Sequence, residues 1–372
     1  MTQLYKNRRD QLTQRAVAAG MDTLMICAPV NLLYFTGIKM TPYERFIALL
    51  MDIRSGQAQL ILPSLERDAA KDSGITAKFY GDHDDPFLFV IDFLGTCRLV
   101  GVEKSSLPLF TAEKILTGLN HKPGQAITAF ADITGMISGI RLLKDDTELK
   151  YLCLAAGYSD EILAGVSAKI HVGQTEKSIT IEIMRAMAAQ PELLINEFVI
   201  QVLVGKGSAD PHGYASDRTV KEGDPITIDF GVCYQQYWSD CTRTFFMGPP
   251  KQQFKEIYQI VLEAQQEAIA KVRPGVPMAE VDLTARKVIG RAGYGEYFIH
   301  RIGHGIGLSI HESPSIHSQN LIPLAERMVA TIEPGIYLPG LGGIRIEDDV
   351  VVTADGVEVM THHPKSYADM VL

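Results

Sequence analysis

Two aspartates 11 residues apart, Asp229 and Asp240, stand out as candidates for chemistry. They lie in ITIDFGVCYQQYWSDCTRTF, 226–245, which reads as a β-hairpin with an acid on each arm. On the first arm Ile226 and Ile228 alternate with Thr227 and Asp229, so Asp229 points away from the apolar pair. The return arm can bring Asp240 to the same end of the sheet. Taken singly, each aspartate could cap a turn or pair with a base such as Arg243. A second acidic pair weakens that simple reading. Glu333 ends the apolar strand MVATIEPG, and Glu347 follows 14 residues later in GIRIEDDV. Ile332 and Ile346 each precede a glutamate, as Ile228 precedes Asp229. Like charges on half-buried strands are costly unless a cation lies between them. Four such carboxylates meeting at one centre would hold two divalent ions about 3.5 to 4 Å apart. Oxygen-rich ligation favours Mn²⁺, Co²⁺ or Zn²⁺ over a metal that needs only soft ligands.

Histidine can complete such a set. Five of the ten histidines, His212, His300, His304, His311 and His317, fall between positions 212 and 317. In HRIGHGIGLSIHESP, 300–314, His304 is flanked by Gly303 and Gly305, so backbone can approach closely and the imidazole is unshielded. His311, seven residues on along a strand-like run, is expected to face a bound substrate rather than share the ion. The segment has neither the His-Glu-x-x-His spacing of helical zinc proteases nor a dinucleotide or P-loop pattern. His212 follows Pro211 in a turn, SADPHG, where a lone histidine is more often solvated.

The elements that must position these groups are legible from periodicity. Short apolar runs at 23–29, 46–53, 58–63 and 98–103, after an opening helix with Leu4 and Leu12 on its core face, suggest an N-terminal α/β domain over 1–135. Residues 131–144 carry no clear period, and a long amphipathic helix should begin near Asp146 or Thr147. From there an order of elements occurs twice. Helices at 147–171 and 175–190 precede strands at 197–204, 225–232 and 237–246; helices at 251–272 and 278–292 precede strands at 304–310, 328–334 and 344–352. Residues 136–372 therefore read as a duplicated, pseudo-symmetric α+β domain, with the site between its halves.

Composition sets the class. Of 372 residues, 35 are Lys or Arg and 44 are Asp or Glu, a formal charge of −9. That balance argues against nonspecific nucleic-acid or anionic-membrane binding, both of which need a basic surface. Five cysteines with no Cys-x-x-Cys pair disfavour a disulfide scaffold or a thiolate zinc site. The charged N-terminus lacks the apolar stretch of a signal peptide, and no apolar run is long enough to span a bilayer. A cytoplasmic protein is the expectation.

From about Ile140 to the C-terminus the chain resembles the pita-bread metallopeptidases, in the branch containing prolidase and aminopeptidase P. The resemblance rests on IRLLKDDTELKYL, PHG, IDFG with SDCTRTF, GHGIGL with HESP, TIEPGIY and IRIEDD. It implies a pita-bread catalytic domain behind a creatinase/prolidase N-terminal-like domain, and a dinuclear centre at Asp229, Asp240, His304, Glu333 and Glu347. It also implies hydrolysis by a metal-bridging hydroxide, with Glu333 moving the proton, His311 stabilising the oxyanion and His212 holding substrate. Arg345 would support the ligands from behind; its alternative is an ion pair with Asp348. Ile310 and Tyr337 are candidates for an apolar proline pocket. The implied substrate is a proline-containing di- or oligopeptide and the implied assembly a homodimer. An Xaa-Pro dipeptidase is the first reading, aminopeptidase P the second, and a metal-free creatinase-like hydrolase or a noncatalytic binding module the remoter ones. In some prolidases a basic residue reads the dipeptide carboxylate four positions after the second histidine; here that position is Ser315.

Overall fold

A computed structural model describes residues 2–95, 97–120 and 129–372, with the side chains of 2, 120 and 195–199 left aside. Two compact units emerge, Met1–Arg141 and Leu142–Leu372. No helix among the described residues is long and apolar enough to cross a membrane.

The first unit is an α/β layer structure. Strands β1 (Thr23–Ile26), β2 (Ala48–Asp52), β3 (Ala58–Pro63), β4 (Thr76–Tyr80), β5 (Leu99–Val102) and β6 (Ala129–Asp132) form one mixed sheet in the order β4-β3-β2-β1-β5-β6. Helices α1 (Thr2–Ala18), α2 (Pro29–Thr36), α3 (Arg67–Ala70), α4 (Phe87–Leu94), α5 (Leu109–Asn120) and α6 (Thr134–Arg141) accompany it. Leu12 of α1 is fully buried. Helix α6 occupies the stretch that showed no sequence period, and Arg15 of α1 donates to the Met136 carbonyl at 3.1 Å. The division therefore falls after Arg141 rather than at 135/136, because α6 belongs to the first unit.

In the second unit α7 (Asp146–Ser167) begins at Asp146, the first of the two expected starts, although the capping residue is the one before it. Asp145 is the N-cap, and with Glu148 it closes a reciprocal capping box. Helix α8 (Glu176–Ala188) follows, then β7 (Leu193–Val204), β8 (Pro225–Tyr234), β9 (Tyr237–Trp238) and β10 (Cys241–Phe246). The second half repeats this order with α9 (Gln252–Lys271), α10 (Met278–Arg291), β11 (Gly303–Gly305), β12 (Glu312–Ile316), β13 (Val329–Ile332), β14 (Gly335–Leu338), β15 (Gly342–Arg345), β16 (Asp348–Val352) and β17 (Val357–Val359). The sheets run β10-β8-β7 and β12-β11-β13-β16-β17, with β14 and β15 as a separate pair. One apolar core spans both halves and includes Ile226, Ile228 and Phe230 from β8 together with Ile332, Ile344 and Ile346.

Three expected strands break where the chemistry lies. The run 237–246 is interrupted at Ser239 and Asp240, and 304–310 is strand only to Gly305 before a series of bends. The run 344–352 splits because the chain leaves one sheet for another: β15 pairs with β14, β16 with β13, and Ile346 and Glu347 form the link.

Candidate metal centre

Strand β8 sets the frame. Its one half-buried interior position is Asp229, between buried Ile228 and Phe230. Across the sheet Asp229 lies opposite Gln201 of β7 and Thr242 of β10, so the three side chains form a row on one face. Asp240 stands two residues before Thr242, in the strand break, and one of its carboxylate oxygens lies within 4.8 Å of one of Asp229. Its own N–H donates to Asp349 Oδ2 at 2.9 Å, which fixes the backbone in the strand break.

The other half supplies the remaining donors. Ile332 pairs with Asp348 at the end of β13 and β16, so Glu333 and Glu347 are the next residues outward on each chain. Thr331 Oγ1 donates to Glu333 Oε1 at 3.1 Å, and Thr242 Oγ1 donates to Glu347 Oε2 at 2.6 Å across the two halves. His304 sits in β11 between two glycines that admit no side chain. A Cβ at Gly303 would lie 1.9 Å from the Thr331 carbonyl oxygen, and one at Gly305 would lie 2.1 Å from that of Ser313. The His304 ring approaches the Gly305 carbonyl through Nδ1 at 3.2 Å, which assigns the proton to Nδ1 and leaves a lone pair on Nε2. Nε2 faces Glu333 Oε1 at 3.3 Å and Asp240 Oδ2 at 3.8 Å.

Three overlapping sets of ligand atoms result: Asp229, Asp240 and Glu347; His304, Glu333 and Glu347; and Asp240, His304 and His311. Within each set the atoms lie within 4.8 Å of one another. His311 therefore stands closer to the cluster than its seven-residue separation suggested. The bends after Gly305 turn the chain back so that Glu312 pairs with Gly305, and the His304 and His311 rings lie 3.9 Å apart between centroids.

The electrostatics describe a place whose four acids outnumber its two cations, Arg301 and Arg345. Burial pushes the Asp240 and Glu347 carboxyls well above the usual carboxylate range, and repulsion from neighbouring acids pushes them further. Burial lifts Glu333 to about 7 against the opposing pull of Arg345. Burial also lowers His304 to about 3, leaving a neutral imidazole. Asp240 Oδ1 is buried with no hydrogen-bond partner. Carboxylate oxygens, a neutral imidazole nitrogen and an orphaned buried acceptor fit divalent cations of the hard to borderline kind.

Arg345, at the end of β15, spans the row from above. It donates through Nη2 to Gln201 Oε1 at 2.8 Å and to Asp229, through Nε to Thr242 Oγ1 at 3.3 Å, and through Nη1 to the Tyr337 hydroxyl at 2.8 Å. It does not share a strand with Glu347, and Asp348 is taken by Arg243 and Lys365 instead. Tyr337 is therefore a buried polar support, its phenol raised to about 12 by burial, rather than an apolar wall. Ile310 packs beside a second cluster that includes Trp238 and Ile306. Neither residue lines the cavity of about 460 Å³ over the acids.

His212 lines that cavity on an exposed turn, which the Gln201 amide pins by donating to the Pro211 and Gly213 carbonyls at 3.1 and 2.8 Å. Gln201 and Arg301 are cavity residues that the sequence did not single out, and His300 stood out only as a member of the histidine cluster. Gln201 left a signal as the lone polar residue in the apolar run VIQVLV. His300 Nδ1 lies 2.7 Å from the Arg301 carbonyl and Nε2 lies 2.9 Å from the Tyr337 hydroxyl. Burial holds this imidazole down to about 4, so it is neutral and accepts from the phenol. Arg301 is half-buried, with Nη1 donating to Ser315 Oγ at 3.1 Å.

Comparison with known proteins accords with this geometry. Residues 151–354 match metallopeptidase family M24, and residues 8–143 match the creatinase/prolidase N-terminal domain. An uncharacterized peptidase of Staphylococcus aureus (strain bovine RF122 / ET3-1) is 36% identical over 369 residues, covering 98% of this chain and 100% of the relative. The structure of an Xaa-Pro dipeptidase from Bacillus anthracis superposes with a TM-score of 0.89 at 31% identity, covering 99% of this chain and 100% of that one. That of an X-Pro aminopeptidase from Thermotoga maritima MSB8 gives 0.82 at 32% identity, covering 95% and 99%.

Proposed function

Because the chain belongs to metallopeptidase family M24, we propose that it hydrolyses Xaa-Pro peptide bonds, acting as an Xaa-Pro dipeptidase. The observation that carries this reading is the convergence of Asp229, Asp240, His304, Glu333 and Glu347, from both halves of the unit, on the floor of one cavity. Those five would hold two divalent ions, with Mn²⁺ the first candidate and Co²⁺ or Zn²⁺ the alternatives. Bound there, the ions would supply Lewis acidity and make water a nucleophile near neutral pH.

The protein's own groups do the rest. Glu333, steadied by Thr331, accepts a proton from the attacking water and passes it to the leaving nitrogen. His311 donates a hydrogen bond to the oxyanion that develops on the scissile carbonyl. His212, on the turn fastened by Gln201, hydrogen-bonds the substrate near the leaving residue. Arg345 orients Asp229 and neutralises part of its charge. The bond before proline is a tertiary amide without an N–H, so recognition must come from shape and from the ends of the peptide.

Arg301 favours a dipeptide over a longer chain. Ser315 cannot read a carboxylate as a base would, but it engages the Arg301 guanidinium at the cavity wall. Guanidinium pairs with carboxylates in bidentate fashion. The likeness to the Thermotoga X-Pro aminopeptidase keeps the longer-peptide activity as the second reading. A homodimer in the cytoplasm belongs to the same proposal. Side-by-side hydrolysis of an Xaa-Pro dipeptide and an Xaa-Pro-Yaa tripeptide decides between the readings: the dipeptide should be preferred, and a clear preference for the tripeptide would replace dipeptidase by aminopeptidase.

A further inference from the structure

The segment IRLLKDDTELKYL, whose residues 142–152 open the second unit, brings a buried cation to the loop that carries His311. Lys144 is 1% exposed, and its Nζ donates to Glu312 Oε1 at 2.6 Å across 168 residues of chain. Its backbone is held on both sides by Arg327, whose carbonyl accepts from Lys144 N at 2.9 Å and whose Nε donates to the Lys144 carbonyl. The next residue, Asp145, is the N-cap of α7. The ammonium thus projects from an anchored stretch of backbone.

Glu312 directly follows His311 and opens β12. Its carboxylate lies inside the turn formed by residues 307–312. A Cβ at Gly307 would come 2.5 Å from Glu312 Oε1, and Ser309 N points at Oε2 from 3.4 Å. The turn is therefore wrapped around a carboxylate that accepts from the Lys144 ammonium. His311, on the last corner of that turn, reaches the His304 ring at 3.9 Å. A buried ion pair contributes little stability beyond what an apolar pair of the same volume would give, whereas it defines one geometry. An apolar pair at these positions would fill the space without setting the register of the turn.

We propose that Lys144 is a positioning residue which, through Glu312, holds the His311 imidazole at the cavity. The inference rests on the assignment of His311 to the oxyanion. It departs from a purely structural pair in requiring that the effect of Lys144 on turnover pass through His311.

The test uses full-length, metal-loaded protein carrying K144M, K144R, K144M/E312M, H311A or H311A/K144M, with kcat, KM, metal content and Tm measured for each. Lys144→Met should lower kcat by about 10- to 100-fold, the range seen when groups that orient catalytic side chains are removed. KM and metal content should stay near those of the unaltered protein, and K144R should recover part of kcat. The double variant K144M/E312M, which removes both charges of the pair together, should keep a Tm near that of the unaltered protein while kcat stays low. In the H311A background, Lys144→Met should cause no further loss of kcat. A folded K144M/E312M protein with unaltered kcat would overturn the inference, as would an equal loss from K144M with and without His311. An H311A protein with unaltered kcat would overturn the assignment of His311 and this inference with it.

Discussion

Arg345 closes a row of three side chains by donating to Asp229, the central member, from a strand of the opposite half of the unit. The same guanidinium reaches Gln201, Thr242 and Tyr337, so one residue fastens three strands around one carboxylate. Lysine has neither the planar fork nor enough donors in fixed directions to span that set. Arg345→Lys and Arg345→Met should each lower kcat by about 10- to 100-fold. Without metal, either variant should melt at a lower temperature than the unaltered protein without metal, because Asp229 loses its buried partner. Equal turnover for R345K would mean that the row is not positioned by the fork.

Asp240 and Glu347 are the most buried of the four acids at the centre, and among the described residues neither forms an ion pair with a lysine or arginine. Asp240→Asn and Glu347→Gln should each reduce hydrolysis by about 100-fold or more, since each removes a charged donor from the set that would hold the ions. Metal content after dialysis should fall in parallel. Full activity in both variants on every peptide tried would contradict a metal mechanism.

Stability of the chelated protein should depend on pH with a defined sign. A carboxyl whose pKa is raised by folding favours the fold while it is protonated, and that contribution is lost as pH rises through the folded value. Glu333, at about 7, and Asp240, Glu347 and Asp349, raised well above the usual range by burial, all act in this direction. His300 and His304, lowered to about 4 and about 3, act oppositely, but only below their ordinary value of 6.5. Above pH 6.5 the carboxyls act alone. Thermal melting of the chelated protein should therefore fall between pH 6.5 and 8, and the gap to the metal-loaded protein should widen. A chelated protein that grows more stable over that window would show the acids to be compensated by something other than a cation.

Arg301→Met should raise KM for an Xaa-Pro dipeptide by about tenfold or more, the loss of one charge-assisted hydrogen-bonded contact. The same change should affect an Xaa-Pro peptide with an amidated C-terminus far less. Equal effects on both would separate Arg301 from the carboxylate.

Much of the centre was legible because strand periodicity and acid spacing are local. Asp229 had to face away from Ile226 and Ile228, and Glu333 and Glu347 repeated that relation to Ile332 and Ile346. What escaped depends on the path of the chain between elements. His311 was read onto a continuous strand, but the chain bends after Gly305 and doubles back, so it meets His304. Arg345 and Glu347 were read onto one strand, but the chain changes sheets between them. Gln201 and Arg301 act through partners more than ten residues away, Arg345 and Ser315, which no local pattern announces. The same holds for α6, whose Met136 carbonyl accepts from Arg15 of α1, a partner 121 residues away.

The most direct measurement of the central claim is hydrolysis of an Xaa-Pro dipeptide by chelated protein titrated with Mn²⁺, Co²⁺ or Zn²⁺. The chelated protein should show no turnover, with recovery that saturates at two ions per chain for at least one of these metals. Turnover that persists after complete chelation, or that none of the three ions restores, would contradict it.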